Sequence, residues 1–112
     1  MRRRAEVNAC DGEGRVPIWH AARDGDCNTI RVLQQLSADV TTPNNDGQTP
    51  VSVAAREGHC DAIRVLHEHG ADVSTPDNNG RTPVSCAARR GHVDAIRTLH
   101  QLGADATTPD HN

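Results

Sequence analysis

Short apolar stretches alternate with turn-forming stretches along the chain, and the middle part shows the pattern most clearly. The pair Thr49-Pro50 is a helix start, because the hydroxyl can cap free backbone N–H groups and proline suits the first helical position. A predicted helix over residues 50–57 ends at Gly58, since glycine tolerates the positive φ of a helix terminus. A second predicted helix covers residues 61–69 and stops at the next glycine. The pattern therefore predicts two short helices joined by a tight turn.

The same pattern recurs every 33 residues, without gaps, in three full units. These units cover residues 11–43, 44–76 and 77–109. The second and third units agree at 22 of 33 positions, and the first and second at 16. A repeat of this length is typical of solenoids, in which each unit packs on the next. We refer to these segments as units one, two and three.

Partial units flank the three full ones. Residues 1–10 are predicted to be the tail of a preceding unit, because Ala5-Glu6-Val7 matches Ala38-Asp39-Val40. Residues 110–112 match the opening of a fourth, truncated unit. We interpret the chain as a slice of a longer array, or as an array with unusual ends.

The composition explains why the units need each other. The 112 residues include 19 Leu, Ile and Val and no Phe or Tyr, against 14 Ala. Helices of about two turns do not persist alone, and such small side chains cannot fill a thick core. Pairs of alanines at positions 21–22, 54–55 and 87–88 allow neighbouring helices to approach closely. The sequence predicts an all-α repeat solenoid of stacked helix-turn-helix units with turn-tipped connecting loops.

The third unit carries the clearest sequence motif of the chain. The stretch from Gly80 to His92 reads G-R-T-P-V-S-C-A-A-R-R-G-H, and residues 102–105 read L-G-A-D. This resembles the ankyrin-repeat pattern G-x-T-P-L-H-x-A-A-x-x-G-H followed by L-x-x-G-A-D, and the similarity covers nearly the whole chain. The resemblance implies stacked helix pairs that present a surface to other proteins.

Three departures from the family pattern affect stability and surface chemistry. The family histidine after T-P-L is replaced by Trp19, Ser52 and Ser85. In unit one, Val16 stands where the capping threonine is expected, and Ser37 stands where glycine is expected. A lost cap costs about 1 kcal/mol, and a non-glycine residue in the left-handed conformation costs about as much. We expect unit one to be the least stable.

Charge and hydropathy exclude several other classes. The net charge of −3 comes from 12 basic and 15 acidic residues, which is unlike a general phosphate binder. The single aromatic residue gives no stacking platform for nucleic acid. No apolar run approaches the roughly 18 residues that a membrane span needs, and no signal-peptide core follows the basic start. We therefore expect an intracellular protein, cytoplasmic or nuclear, that binds neither nucleic acid nor membranes.

The cysteines and histidines are not expected to form a catalytic or metal site. Stacking would place Cys27 and Cys60 about 9–10 Å apart, too far for a disulfide, so the cysteines are interpreted as core-lining residues. His59 and His92 fit the family G-H turn, in which the ring braces the backbone. No acid–base partner recurs beside Ser52. The sequence predicts a protein that is not an enzyme and that needs no metal or cofactor.

The recognition surface is predicted at solvent-facing positions that vary between units. These positions are the turn tips and the ends of the first helices. By the resemblance, both regions line the concave groove through which ankyrin arrays grip protein partners. The candidate residues are Glu13, Arg15, Arg23, Asp24, Asn45, Asp46, Gln48, Arg56, Glu57, Asn78, Asn79, Arg81, Arg89 and Arg90.

The arginines at these positions suggest the chemistry of the partner. Arg23, Arg56 and Arg89 recur in register and form a basic stripe on a mildly acidic chain. This stripe favours an unknown protein partner with an acidic segment. The alternative hypothesis is a structural spacer within a larger protein. Weak end-to-end self-association is a further hypothesis, because Ala95, Ile96, Leu99 and Leu102 lack a polar capping unit.

Overall fold

The computed structural model describes residues 7–104, and these contain six α-helices in three pairs. The first helix of each pair is α1 (Pro17–Asp24), α3 (Pro50–Glu57) and α5 (Pro83–Arg89). The second helices are α2 (Cys27–Gln35), α4 (Cys60–Glu68) and α6 (Val93–Gln101). Two parts of the chain lie outside the described residues. They are residues 1–6 and residues 105–112, which include the end of the predicted third unit and the predicted start of a fourth. Each helix agrees with the predicted pattern to within about one residue.

The helices pack in two parallel rows. In one row α3 contacts both α1 and α5, and in the other α4 contacts both α2 and α6. The overall extents are 43 × 24 × 20 Å, so the molecule is elongated along the stacking direction. This arrangement confirms the all-α repeat solenoid.

The helix ends follow the predicted capping chemistry. Thr49 accepts a hydrogen bond from the backbone N–H of Ser52 at 3.1 Å, and Thr82 makes the equivalent contact with Ser85 at 3.3 Å. Val16 caps α1 with no side-chain bond, as predicted for unit one. Ser37 has a φ of 72° and is the one non-glycine residue with positive φ within residues 7–104. Both predicted departures of unit one are therefore confirmed as local geometry.

Small aliphatic side chains fill the core at the contacts between units. Ile18, Ile30, Ile63, Leu66 and Leu99 are completely buried. The alanines that end the first helices let these rows approach closely, and most of those alanines are buried as well. All four cysteines are free thiols. Those of α2, α4 and α5 line or contact the core, as predicted, but the prediction is wrong for Cys10, which lies in the loop before α1 and is exposed.

The predicted apolar end of unit three is partly wrong. Ala95 and Leu99 are buried, with exposures of 1% and 0%, in the core that forms where α6 packs against α4 and α5. Ile96 and Leu102 are only partly buried, and Val93 beside them is 54% exposed. The hypothesis of end-to-end association therefore retains fewer apolar residues than the sequence suggested. Among residues 7–104 no helix has the length and apolar character to cross a membrane.

Candidate functional site

The turn tips form a hydrogen-bonded ladder from unit to unit. Asn45 donates its backbone N–H to the Glu13 carbonyl at 2.9 Å and its side-chain amide to the Gly12 carbonyl at 3.3 Å. Asn78 repeats both bonds with the Asp46 carbonyl at 3.0 Å and the Asn45 carbonyl at 3.1 Å. The amides of these two candidate asparagines therefore hold the array together. The other residues of each turn tip are therefore held in fixed positions relative to the neighbouring unit.

A polar side chain at the base of each tip organises the turn. The Asp11 carboxylate accepts the backbone N–H of Glu13 at 2.9 Å and that of Arg15 at 3.0 Å. Asn44 and Asp77 accept the equivalent N–H groups of their own turns. The Arg15 backbone N–H, more than any other group, lowers the pKa of Asp11 to about 2, because it favours the charged carboxylate. These turns fix the backbone of the residue that follows each tip, which is Arg15, Gln48 or Arg81.

In unit one the arginines of the groove are held by an indole ring. Trp19 is 3% exposed, and its Nε1–H donates to the Gln48 carbonyl at 2.9 Å. The guanidinium carbons of Arg15 and Arg23 lie 5.7 and 5.8 Å from the ring centroid, within range of a cation–π contact. Arg15 also pairs with Asp11 at 2.9 Å. Sequence reasoning missed this role of Trp19, although its position in the family's histidine slot marked it as unusual.

Two of the three arginines in the predicted stripe carry their own counter-charge. Arg23 Nε lies 3.4 Å from an Asp24 carboxylate oxygen, and Arg56 Nε lies 3.0 Å from a Glu57 carboxylate oxygen. The structure thus brings the predicted helix-end residues together in pairs. These pairs reduce the net positive charge of the stripe in units one and two.

Unit three differs, because its groove arginines lack such pairs. Within residues 7–104, no carboxylate lies within 4 Å of the side-chain nitrogens of Arg81, Arg89 or Arg90. A cavity of about 230 Å³ opens at this point between units two and three. Its lining consists of Gln48, Arg56, Asp77, Arg81, Cys86, Arg89 and Arg90. We call this cavity the arginine pocket.

Two buried residues, Cys86 and Asp77, also line the arginine pocket. Cys86 is 7% exposed, and burial raises the pKa of its thiol, so the thiol stays protonated at neutral pH. Asp77 is also buried, and one carboxylate oxygen accepts the N–H groups of Asn79 and Arg81, each at 2.9 Å. Sequence reasoning did not include Asp77 or Cys86 in the site, because only the stacking of α5 on α3 brings them beside Arg56.

The histidines predicted to brace the backbone do so across the unit boundary. A Cβ added at Gly25 would lie 2.7 Å from His59 Nδ1, and one added at Gly58 would lie 2.8 Å from His92 Nδ1. Each ring therefore packs on the glycine of the preceding unit. In the part of the chain from residue 7 to residue 104, no cluster of three or more His, Cys, Asp or Glu side chains could hold a metal ion.

Comparison with known proteins agrees with this architecture. A family model described as ankyrin repeats in three copies matches residues 2–77 and again residues 18–110. No curated protein matches the chain. The two matched ranges together span all six helices and every candidate residue of the groove.

Proposed function

The chain belongs to the ankyrin-repeat family, and we propose that it is a protein-binding module that grips an acidic segment of its partner. Ankyrin repeats generally mediate protein–protein interaction and are generally non-catalytic. The proposed contact surface is the groove formed by the turn tips and the ends of α1, α3 and α5. The observation that carries this proposal is the arrangement around the arginine pocket of three arginines, Arg81, Arg89 and Arg90, that have no ion-pair partner within residues 7–104.

Two properties of the groove support this assignment. The ladder of tip hydrogen bonds fixes its edge, so a partner would meet a surface with little conformational entropy left to lose. The guanidinium groups of Arg81, Arg89 and Arg90 at one end would attract carboxylates and orient the bound segment. A segment that crosses from unit one to unit three would meet first the arginines that pair with Asp24 and Glu57, and last those of unit three, which have no such pair in the part of the chain that the structure describes.

A charge-reversal experiment tests the location of the surface. The Arg56→Glu/Arg89→Glu variant should bind a fluorescein-labelled, glutamate-rich decapeptide at least about tenfold more weakly in fluorescence anisotropy, because two attractive contacts become repulsive. Arg31→Glu/Arg97→Glu is the matched control, since it makes the same charge change on the exposed face of α2 and α6. Melting temperatures of both variants would verify that the fold is retained.

The outcomes of this experiment distinguish a protein-binding module from a structural spacer. Loss of affinity in the groove variant alone supports the proposed surface. Equal loss in both variants would mean that only net charge matters, and the groove assignment would be wrong. Wild-type protein that fails to bind acidic peptide at low salt would favour the alternative of a structural spacer in a larger protein.

A further inference from the structure

The arginine pocket has a natural comparison within the same chain. The equivalent positions one unit earlier are Arg23, Gln48, Arg56 and Glu57, against Arg56, Arg81, Arg89 and Arg90 in the pocket. The first set contains two arginines and one glutamate, whereas the second contains four arginines. Two changes make the difference: glutamine becomes Arg81, and glutamate becomes Arg90. Two grooves of the same fold thus differ strongly in charge.

Within the described residues, Arg81, Arg89 and Arg90 have no ion pair that would explain the positive charge of the pocket as structural. The Ala87 and Ala88 carbonyls near the end of α5 are bonded by backbone N–H groups of residues 90–92, so they do not need the arginine side chains. Arg15 in unit one binds an aspartate and a tryptophan ring, but the equivalent Arg81 has neither contact within residues 7–104. Asp77, which could pair with Arg81, bonds to backbone N–H groups with one oxygen.

The balance of charge at the pocket is close to +2. Four guanidinium groups line or border it, while Asp77 lines it and Glu57 pairs with Arg56. A single carboxylate would neutralise half of this charge and would offer only two oxygens. A phosphate monoester carries close to two negative charges at neutral pH and offers three acceptor oxygens. Planar guanidinium groups bind such oxygens in a bidentate manner.

We propose that the arginine pocket binds a phosphorylated serine or threonine side chain of the partner protein. This inference rests on the proposed function and specifies one contact of the acidic segment. The cavity of about 230 Å³ between α3, α5 and the third turn tip is open enough to admit one such group. Nucleic acid fits less well, because its phosphodiesters carry one charge each and the only aromatic side chain, Trp19, is buried.

Three fluorescein-labelled decapeptides of identical sequence, except for one central residue, provide the test. That residue is phosphoserine, glutamate or serine, and affinities are measured by fluorescence anisotropy at fixed salt. We expect the phosphoserine peptide to bind at least about tenfold more tightly than the glutamate peptide, which corresponds to one additional charge-assisted hydrogen bond of about 1.4 kcal/mol. Inorganic phosphate alone should displace it only at much higher concentration, since it lacks the peptide contacts.

Substitutions that convert the pocket into its equivalent one unit earlier isolate the two decisive arginines. Arg81→Gln/Arg90→Glu installs side chains that the same fold already carries at Gln48 and Glu57, so the variant should fold. It should lose the preference for phosphoserine over glutamate. The control Arg31→Gln/Arg97→Glu makes the same charge change on α2 and α6, outside the groove, and should keep the preference for phosphoserine.

The reciprocal change provides a gain-of-function test. In the Arg81→Gln/Arg90→Glu background, Gln48→Arg/Glu57→Arg moves the arginines of the pocket to the groove between units one and two. This fourfold variant should regain the preference for the phosphoserine peptide over the glutamate peptide. Failure to regain that preference would contradict the assignment of specificity to these two positions.

The failures of the two proposals are distinguishable. Equal, groove-dependent binding of the phosphoserine and glutamate peptides would overturn the phosphate site and leave the acidic-segment proposal standing. Failure of all three peptides to bind would overturn both. Displacement of the phosphoserine peptide by a ten-nucleotide thymidine oligomer at lower concentration than by unlabelled peptide would identify the pocket as a nucleic-acid contact instead.

Discussion

A glycine-to-alanine pair measures how much the histidine–glycine contact between units contributes to stability. Gly58 and Gly91 end equivalent first helices with φ values of 78° and 74°, so both lie in the left-handed region. A Cβ at Gly58 would lie 2.8 Å from His92 Nδ1 and 3.0 Å from Cγ, whereas a Cβ at Gly91 would meet none of the atoms of residues 7–104 within 4 Å. The two substitutions therefore share backbone strain and differ in the clash.

The expected magnitudes follow from these two terms. Gly91→Ala should lower the free energy of unfolding by about 1–2 kcal/mol, the cost of a left-handed alanine. Gly58→Ala should cost a further 1–3 kcal/mol, roughly, because the base of the imidazole ring must move and cannot simply swing its tip away. Each kcal/mol corresponds to a melting-temperature change of roughly 4 °C in a domain of this size.

Urea denaturation followed by far-UV circular dichroism gives the free energies of both variants. The fluorescence of Trp19, the single tryptophan, reports on unit one in the same samples. His92→Ala in the Gly58→Ala background should remove most of the additional cost, since His92 makes no capping bond with its side chain. Equal destabilisation by Gly58→Ala and Gly91→Ala would refute the proposed contribution of the ring.

Two further predictions concern capping and pH. Thr49→Val should lower the free energy of unfolding by about 1 kcal/mol in urea denaturation, because it removes the cap of α3. Val16→Thr should raise the free energy of unfolding by less than 1 kcal/mol, roughly, because the Trp19 backbone N–H already bonds to the Val16 carbonyl at 2.9 Å. An equal or larger increase would contradict that reasoning. The hydrogen bond from the Arg15 backbone N–H is the main cause of the lowered pKa of Asp11, which is about 2 in the folded state. The charged Asp11 carboxylate therefore stabilises the fold fully above pH 4, and this stabilisation is lost as the pH falls toward 2. Asp11→Asn, which copies Asn44 of unit two, should therefore flatten the decline of melting temperature between pH 4 and pH 2, and an unchanged slope would contradict the assignment.

Most of the fold could be predicted from the sequence, because the determinants of these helices are local. Thr49 and Pro50 start α3 and Gly58 ends it through interactions within a few residues. The 33-residue period then requires that equivalent helices stack. The wrong prediction at Ala95 and Leu99 has a physical reason. Residues on the last unit of an array still face inward toward the preceding unit, and only their outer neighbours lack a cover.

The candidate groove and the adjacent charges of its helix ends could be predicted from the sequence, but the different contacts of Arg15 and Arg81 could not. Arg15 and Arg81 occupy the same register position after an aspartate, and only Arg15 pairs with that aspartate and contacts a tryptophan ring. Arg56 has a carboxylate beside it, whereas Arg89 is followed by another arginine.

The amino-acid sequence by itself determined the repeat, the helix ends and the positions of the variable polar residues, since these depend on neighbours a few bonds away. Only the tertiary structure decided which arginines converge on a shared cavity with Asp77 and Cys86. Burial and the lining of this cavity depend on distances of a few ångströms between residues that are about thirty positions apart in the chain, and the stacking of one unit on the next sets those distances.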